Sequence, residues 1–275
     1  MRVEANGPVD TDSILSTLLR HEVAGLTETS LRECTHRRTV VVDDKPVELN
    51  LVFGDDGIKV AHEGDQVDPE SVVRLVRRWF DLDTDIAGID RELSSHRRFA
   101  DQVFSQPGIR ITGYPDRWEA AAMIVLGQQV SLGAARTFAG RLVAAYGERQ
   151  ADLLRFPVPG RVASEPVDRL REKLGVTGAR ARTIRALSGL FSEDSGADAE
   201  GLVGLPGIGP WTVACFSIRG SNAPDEFPGS DAVLRRALGG VDSREAELIA
   251  ERWSPIRSYA AVRLWTEAVG PVTPV

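Results

Sequence analysis

GLPGIGPWTVACFSIRGSNAPDEFPGSDAVLRRAL, residues Gly204–Leu238, is the stretch from which the rest of the chain can be read. Leu205-Pro206-Gly207-Ile208-Gly209 reads as a tight glycine hairpin, and a helix from about Pro210 to Arg219 follows it. Pro210 suits a first helical turn, where its missing N–H is no loss. Gly207 and Gly209 admit backbone conformations and close approaches that a side chain would forbid. A helix start preceded by glycines presents several unpaired N–H groups, a natural seat for a phosphate. A polar loop leads to a second helix starting near Asp231, twenty residues past Trp211. The hairpin is a candidate anion holder, and Asp231 a candidate chemical group.

The chain has 275 residues, enough for roughly two or three compact units with buried cores. Two cysteines, Cys34 and Cys215, exclude a four-cysteine iron–sulfur cluster or a Cys-rich zinc site. They also argue against a disulfide framework, which makes a reducing cytosol the expected compartment. MRVEANGPVDTDS at the N-terminus lacks an apolar signal core, and no apolar run approaches a membrane span. A soluble, cytoplasmic protein is expected. The net charge of −7 counts against nucleic-acid binding by bulk electrostatics but leaves local binding open. Arg161 to Arg185 holds seven Lys or Arg residues against three acids, and its plain reading is solvated helix surface.

Upstream, Ile14, Leu15, Leu18, Leu19 and Val23 recur at helical spacing over residues 12–24, with Asp10 or Asp12 as cap. Three strand-like segments follow, Thr39–Val42, Val47–Phe53 and Gly57–Ala61, separated by the turns DDKP and GDDG. In the second, Val47, Leu49, Leu51 and Phe53 alternate with Glu48 and Asn50, the period of a half-buried sheet. Asp68-Pro69-Glu70 opens a helix with Val72, Val73, Leu75, Val76, Trp79 and Phe80 apolar. This small unit suggests packing and no chemistry. Beyond it the strand signals largely stop. Ile86–Phe104 reads as a helical segment, broken at Gln106-Pro107-Gly108. Asp116 caps an apolar helix, Arg117–Gly127, and Gln128-Gln129-Val130-Ser131 interrupts before another helix reaches Tyr146. Glu245–Arg252 and Arg257–Ala268 read as the last helices. The expected fold class is α+β: a small N-terminal antiparallel-sheet domain, residues 1–83, followed by a mostly helical two-part body. A central helical domain, residues 107–223, would contain a helix-hairpin-helix motif at about 202–219. Residues 84–106 and 224–275 would form a second helical domain carrying Asp231.

A glycine-rich turn between helices is common, so GxG alone decides little. The full pattern is more specific. Leu205-Pro206-Gly207-Ile208-Gly209, then Thr212 and Asp231-Ala232-Val233-Leu234-Arg235-Arg236, resembles the helix-hairpin-helix DNA glycosylases. Leu126-Gly127-Gln128-Gln129-Val130-Ser131, Glu251-Arg252-Trp253-Ser254-Pro255 and Arg257-Ser258-Tyr259-Ala260 are similar to motifs of the DNA-3-methyladenine glycosylase II, or AlkA, type. Pro107-Gly108-Ile109-Arg110 and Leu174-Gly175-Val176 also fit. The resemblance runs in order from about Trp79 to Ala268; the N-terminal unit fits by element order more than by residues.

This resemblance implies base excision repair by a monofunctional glycosylase, acting on alkylated purines of the 3-methyladenine type in damaged double-stranded DNA. It places the amides of Gly207, Gly209 and Thr212 on DNA phosphates, and Gln129 in the gap left by a flipped base. Asp231 matches the catalytic aspartate, although an aspartate before a helix is ordinarily an N-cap. Trp211 stands where bifunctional relatives carry the lysine that forms a Schiff base, so no strand cleavage is expected. Trp211, Cys215, Ser230 and Trp265 would line the base pocket. No cofactor, no metal and no membrane is implied, and a monomer is expected. Two other readings stay open. Cys215 and Ser230 stand where relatives can carry tyrosine and a second aspartate, which favours a related glycosylase for deaminated bases, crosslinks or bulky adducts. A non-catalytic lesion-binding protein is the other, and the retained Asp231 argues against it.

Overall fold

The alternation Val47, Leu49, Leu51, Phe53 becomes the buried face of a ten-residue strand at the centre of an N-terminal sheet. The structure, a computed structural model, describes residues 1–63 and 67–270. Strand β1 (Arg2–Glu4) and helix α1 (Thr11–Arg20) come first, then β2 (Thr27–Ser30), β3 (Thr35–Val42), β4 (Lys45–Gly54) and β5 (Gly57–Glu63). Helix α2 (Pro69–Trp79), capped by the Asp68 side chain on Glu70 N, lays Val72, Val76 and Trp79 on the sheet. Its amphipathic spacing and Pro at the first turn account for where it starts and which face is buried. Helix α1 ends at Arg20, short of the expected residue 24. The N–H of His21 turns back onto Thr17 O and Leu19 O, and Val23 and Leu26 leave to join the core of the helical body.

The helical body begins with α3 (Ile86–Ser94) and α4 (Ala100–Ser105); the single segment expected over Ile86–Phe104 is divided, with Phe99 buried at the break. Next come α5 (Arg117–Gly127), α6 (Leu132–Tyr146), β6 (Glu148–Gln150) and β7 (Leu153–Arg155). Helices α7 (Pro159–Ala163), α8 (Val167–Leu174), α9 (Gly178–Glu193), α10 (Ala199–Leu202) and α11 (Pro210–Ser221) complete the core around α5. Every residue from Trp118 to Leu126 is buried, so α5 is apolar on all sides because it is covered on all sides. Finally α12 (Ala232–Ala237), α13 (Ser243–Ala250), a short turn of 3-10 helix at Glu251–Trp253 and α14 (Arg257–Val269) pack with α3 on a third apolar cluster.

Among the described residues the sheet runs β1-β5-β4-β3-β7-β6, with β2 also on β3, and it is antiparallel except for one pair. Residue Thr39 of β3 meets Arg155 of β7 in parallel, so a hairpin of the helical body completes the edge of the N-terminal sheet. The sequence reading missed this hairpin because its three-residue strands, ERQ and LLR, are too short for a periodicity. An open β3 edge offers unpaired N–H and C=O groups, and covering it removes that liability.

Buried arginines join the units. Arg38 of β3 donates to Glu119 of α5 through two bonds, at 2.8 and 2.6 Å, with both side chains almost fully enclosed. Arg110 donates to the carbonyl oxygens of Asn6, Asp81 and Thr84, tying the segment after β1 to the turn between α2 and α3. Arg263 of α14 donates to Asp90 of α3 at 2.5 Å.

Candidate active site

Asp231 is the residue on which the site converges. Its Oδ1 accepts from Val233 N at 2.9 Å and Leu234 N at 3.0 Å, so it is an N-cap of α12 in the ordinary sense. The same carboxylate also accepts from two indoles. Trp211 Nε1 donates to Oδ2 at 2.9 Å, and Trp265 Nε1 donates to Oδ1 at 3.3 Å. Four donors therefore fix the orientation of a half-buried carboxylate that a cap alone would leave free on one side.

Helix α11 presents Trp211, Cys215 and Arg219 at successive i, i+4 positions, hence along one face. Cys215 is buried, and that burial together with the nearby Asp231 charge pushes its thiol up, so the sulfur is a protonated, unreactive wall. Arg219 lies with Cζ 5.3 Å from the centroid of the Trp265 ring and donates Nη1 to Thr112 O at 3.0 Å. Trp265 arrives on α14, whose start is pinned to the loop before α12. Asp225 accepts from Arg257 Nε at 2.7 Å and Ser254 Oγ at 2.8 Å, and Ser258 Oγ accepts from Glu226 N at 2.9 Å. The C-terminal motif residues thus scaffold the carboxylate loop. Ser230 is exposed, and among the described residues its side chain makes no hydrogen bond to the other pocket residues.

The hairpin joins α10 to α11. Gly207 has φ +76°, and a Cβ there would fall 2.2 Å from Thr183 Oγ1, so the fold itself requires glycine. Gly209 differs. Its φ is −116°, and a Cβ there would meet nothing within 4 Å. Nothing in this chain demands glycine at 209; the open side faces outward, where another molecule could come close. Among the described residues the amides of Gly207, Gly209 and Trp211 have no protein acceptor. Thr212 departs from the expectation: its amide bonds Gly209 O at 2.9 Å, inside the first turn of α11. Its buried hydroxyl accepts from Gln128 Nε2 at 2.8 Å, and the same Nε2 reaches Gly207 O at 3.1 Å. Arg180 in turn donates to the Gln128 carbonyl. Gln128 therefore straps the α5–α6 turn to the hairpin.

Gln129 occupies the tip of that turn, exposed, with φ +53°, a left-handed conformation unusual outside glycine. The hairpin and Gln129 sit on connected supports, while Trp211, Asp231, Trp265 and Cys215 form one wall. Sequence reasoning passed over Gln128 and Arg219. The i, i+4 series 211, 215, 219 was the signal that could have found Arg219; Gln128 had none beyond its place next to Gln129. Among the described residues no cluster of His, Cys, Asp or Glu could hold a metal ion, and no helix is long and apolar enough to cross a membrane.

Residues 1–116 match the AlkA N-terminal domain family. Over 99% of its length the chain is 35% identical to a Mycobacterium tuberculosis protein named probable bifunctional transcriptional activator/DNA repair enzyme AlkA. The chain spans 58% of that longer relative. A DNA-3-methyladenine glycosylase of Bacillus subtilis is 30% identical over 71% of this chain and 72% of its own. In structure, the 3-methyladenine DNA-glycosylase from Archaeoglobus fulgidus has the same fold, with a TM-score of 0.82 at 20% identity over 98% of both chains. On these matches the chain belongs to the DNA-3-methyladenine glycosylase family of the AlkA type.

Proposed function

We propose that this chain is a monofunctional DNA glycosylase of base excision repair, hydrolysing the N-glycosidic bond of alkylated purines of the 3-methyladenine type in duplex DNA. The observation that carries this reading is the Asp231 carboxylate, held by the indole N–H groups of Trp211 and Trp265 beside buried Cys215. A base in the stack is out of reach of any carboxylate, so the nucleotide must flip into the pocket. The free amides of Gly207 and Gly209 take the backbone phosphates, a mode of contact that an acidic protein tolerates. Gln129, projecting from its turn, fills the gap and offers hydrogen bonds to the orphaned partner base.

Bond cleavage builds positive charge on the sugar, and Asp231 stabilises that charge and orients the attacking water. An N-alkylated purine is cationic in the nucleotide and leaves neutral, so the reaction needs no strong general acid. One carboxylate suffices. With an indole at position 211 there is no amine to form a Schiff base with the sugar, and the product is an abasic site in an intact strand. The protein acts as a monomer in the cytoplasm.

The test is product analysis on duplexes that each carry one defined lesion. Free base appears, the strand breaks only after alkali, and borohydride traps no covalent complex. A trapped complex overturns the monofunctional assignment, and lesion binding without base release favours the non-catalytic reading.

The two hairpin glycines separate folding from binding. Gly207→Ala forces a side chain into positive φ and onto Thr183, and is expected to cost at least about 1–2 kcal/mol in denaturant unfolding. Gly209→Ala is expected to change stability by less than about 1 kcal/mol. Titration with labelled duplex is expected to show the opposite emphasis, with Gly209→Ala weakening binding about tenfold through one lost amide–phosphate contact.

A further inference from the structure

We infer that Arg180 is a positioning residue for the wedge: by holding the Gln128 carbonyl it keeps Gln129 in the left-handed conformation from which that side chain enters the duplex. The inference rests on the glycosylase reading, in which Gln129 fills the gap left by the flipped base.

The start of α9 is fixed by the Thr177 hydroxyl, which accepts from Arg180 N at 3.2 Å. From there the half-buried Arg180 side chain reaches two parts of the α5–α6 turn. Its Nη2 donates to Gln128 O, the last carbonyl before Gln129, and its Cζ lies 5.7 Å from the centroid of the Phe138 ring on α6. Its Nε is enclosed without a partner, and among the described residues no carboxylate compensates the charge. Burial pulls the guanidinium below its ordinary value. A cation thus sits here at a desolvation cost, and the polar group it serves is the Gln128 carbonyl. Packing against Phe138 alone would need no arginine.

The carbonyl of Gln128 and the amide of Gln129 belong to one rigid peptide plane. Fixing its oxygen fixes ψ of Gln128, 124°, and one of the two planes that define φ of Gln129, +53°. Beyond Gln129 the chain is constrained again, where the Ser131 hydroxyl caps α6 by accepting from Ala134 N at 3.3 Å. A residue with a Cβ disfavours the left-handed region, so without an outside hold Gln129 relaxes and its side chain leaves in another direction. The same α9 face also supports the hairpin: Thr183, one turn past Arg180, lies where a Cβ on Gly207 would fall. The Gln128 side chain reaches that hairpin while its carbonyl is taken by α9. Wedge turn and phosphate-facing hairpin therefore share one platform.

The experiment is a double-mutant cycle of Arg180→Met and Gln129→Ala in the full chain, on a duplex carrying one 7-methylguanine with 2-aminopurine as its neighbour. The rise of 2-aminopurine fluorescence on mixing reports unstacking, and titration of a lesion-free duplex reports the phosphate grip. Arg180→Met is expected to slow the rise about tenfold with Gln129 present, and to change it by less than about twofold in the Gln129→Ala background. Lesion-free binding is expected to stay within about twofold throughout, since the hairpin amides are untouched. Arg180→Gln, too short to reach the carbonyl, runs the same cycle if the methionine variant fails to fold. Equal slowing in both backgrounds marks Arg180 as a direct DNA contact or a packing residue and overturns the inference, as does no slowing with Gln129 present. Either result leaves the glycosylase reading intact. If the unsubstituted chain releases no 7-methylguanine, the glycosylase reading fails and the inference falls with it.

Discussion

Asp231→Asn is expected to lower the single-turnover rate of base release by at least about 10³-fold, with little change in folding or in DNA binding. The separation is possible because capping and the proposed catalysis use different parts of the Asp231 carboxylate. As N-cap it needs one oxygen, Oδ1, to accept from Val233 N and Leu234 N, and the asparagine oxygen can keep both bonds. The other oxygen accepts from Trp211 Nε1, and an asparagine NH₂ placed there confronts one donor with another. The negative charge disappears as well. Sugar cation character then develops with no counter-charge beside it, which is the loss that slows the reaction. The measurement pairs lesion-duplex turnover with thermal unfolding of the same samples. Near-wild-type release would sink the assignment of Asp231, whereas loss of rate together with loss of fold would mark it as a cap alone.

Glu119→Gln carries the largest expected effect on stability. Arg38 and Glu119 bond twice and are enclosed, at 4% and 3% side-chain exposure, so neither has water to fall back on. Removing one partner strands the other as a buried charge, which costs about 3–5 kcal/mol. For a chain of this size that lowers the unfolding midpoint by about 10 °C. Replacing both partners with apolar residues, Arg38→Met with Glu119→Leu, is expected to recover much of the loss, since the desolvation cost of both charges goes too. Calorimetry of the single and double variants decides it: a single variant within about 1 kcal/mol of wild type would show that the pair is dispensable. The consequence reaches the site. Glu119 anchors the start of α5 to the sheet, and Gln128, just past its end, straps the hairpin. A loosened pair therefore weakens the hold on the start of the helix whose far end carries the Gln128 strap to the hairpin.

Local features of the chain were legible residue by residue. The alternation in Val47–Phe53 placed β4, and the turn residues around it placed its neighbours in register. Caps were equally plain: Asp68, Asp116 and Asp231 each accept from an amide two or three residues ahead, as their positions before apolar runs imply. What escaped was whatever depended on a distant partner. The β6–β7 hairpin has no period of its own and exists as strands because the β3 edge needs covering. Val23 follows a helical spacing but belongs to another core. Thr212, which the resemblance singles out for its amide, also accepts a bond on its hydroxyl from Gln128, and that partner comes from a turn 84 residues earlier.

The sequence by itself determined the fold class, the glycine hairpin and the aspartate that follows it, because each depends on backbone preference and short-range spacing. Only the tertiary structure decided what surrounds that aspartate. Trp211 lies 20 residues away and Trp265 lies 34, on different helices, and nothing along the chain makes their indoles converge on one carboxylate. That convergence comes from the packing of α11 and α14 on their cores and from the Asp225–Arg257 pair that pins the loop between them. Packing of this kind is the sum of many weak contacts over the whole surface of each helix, and no single stretch of sequence contains it.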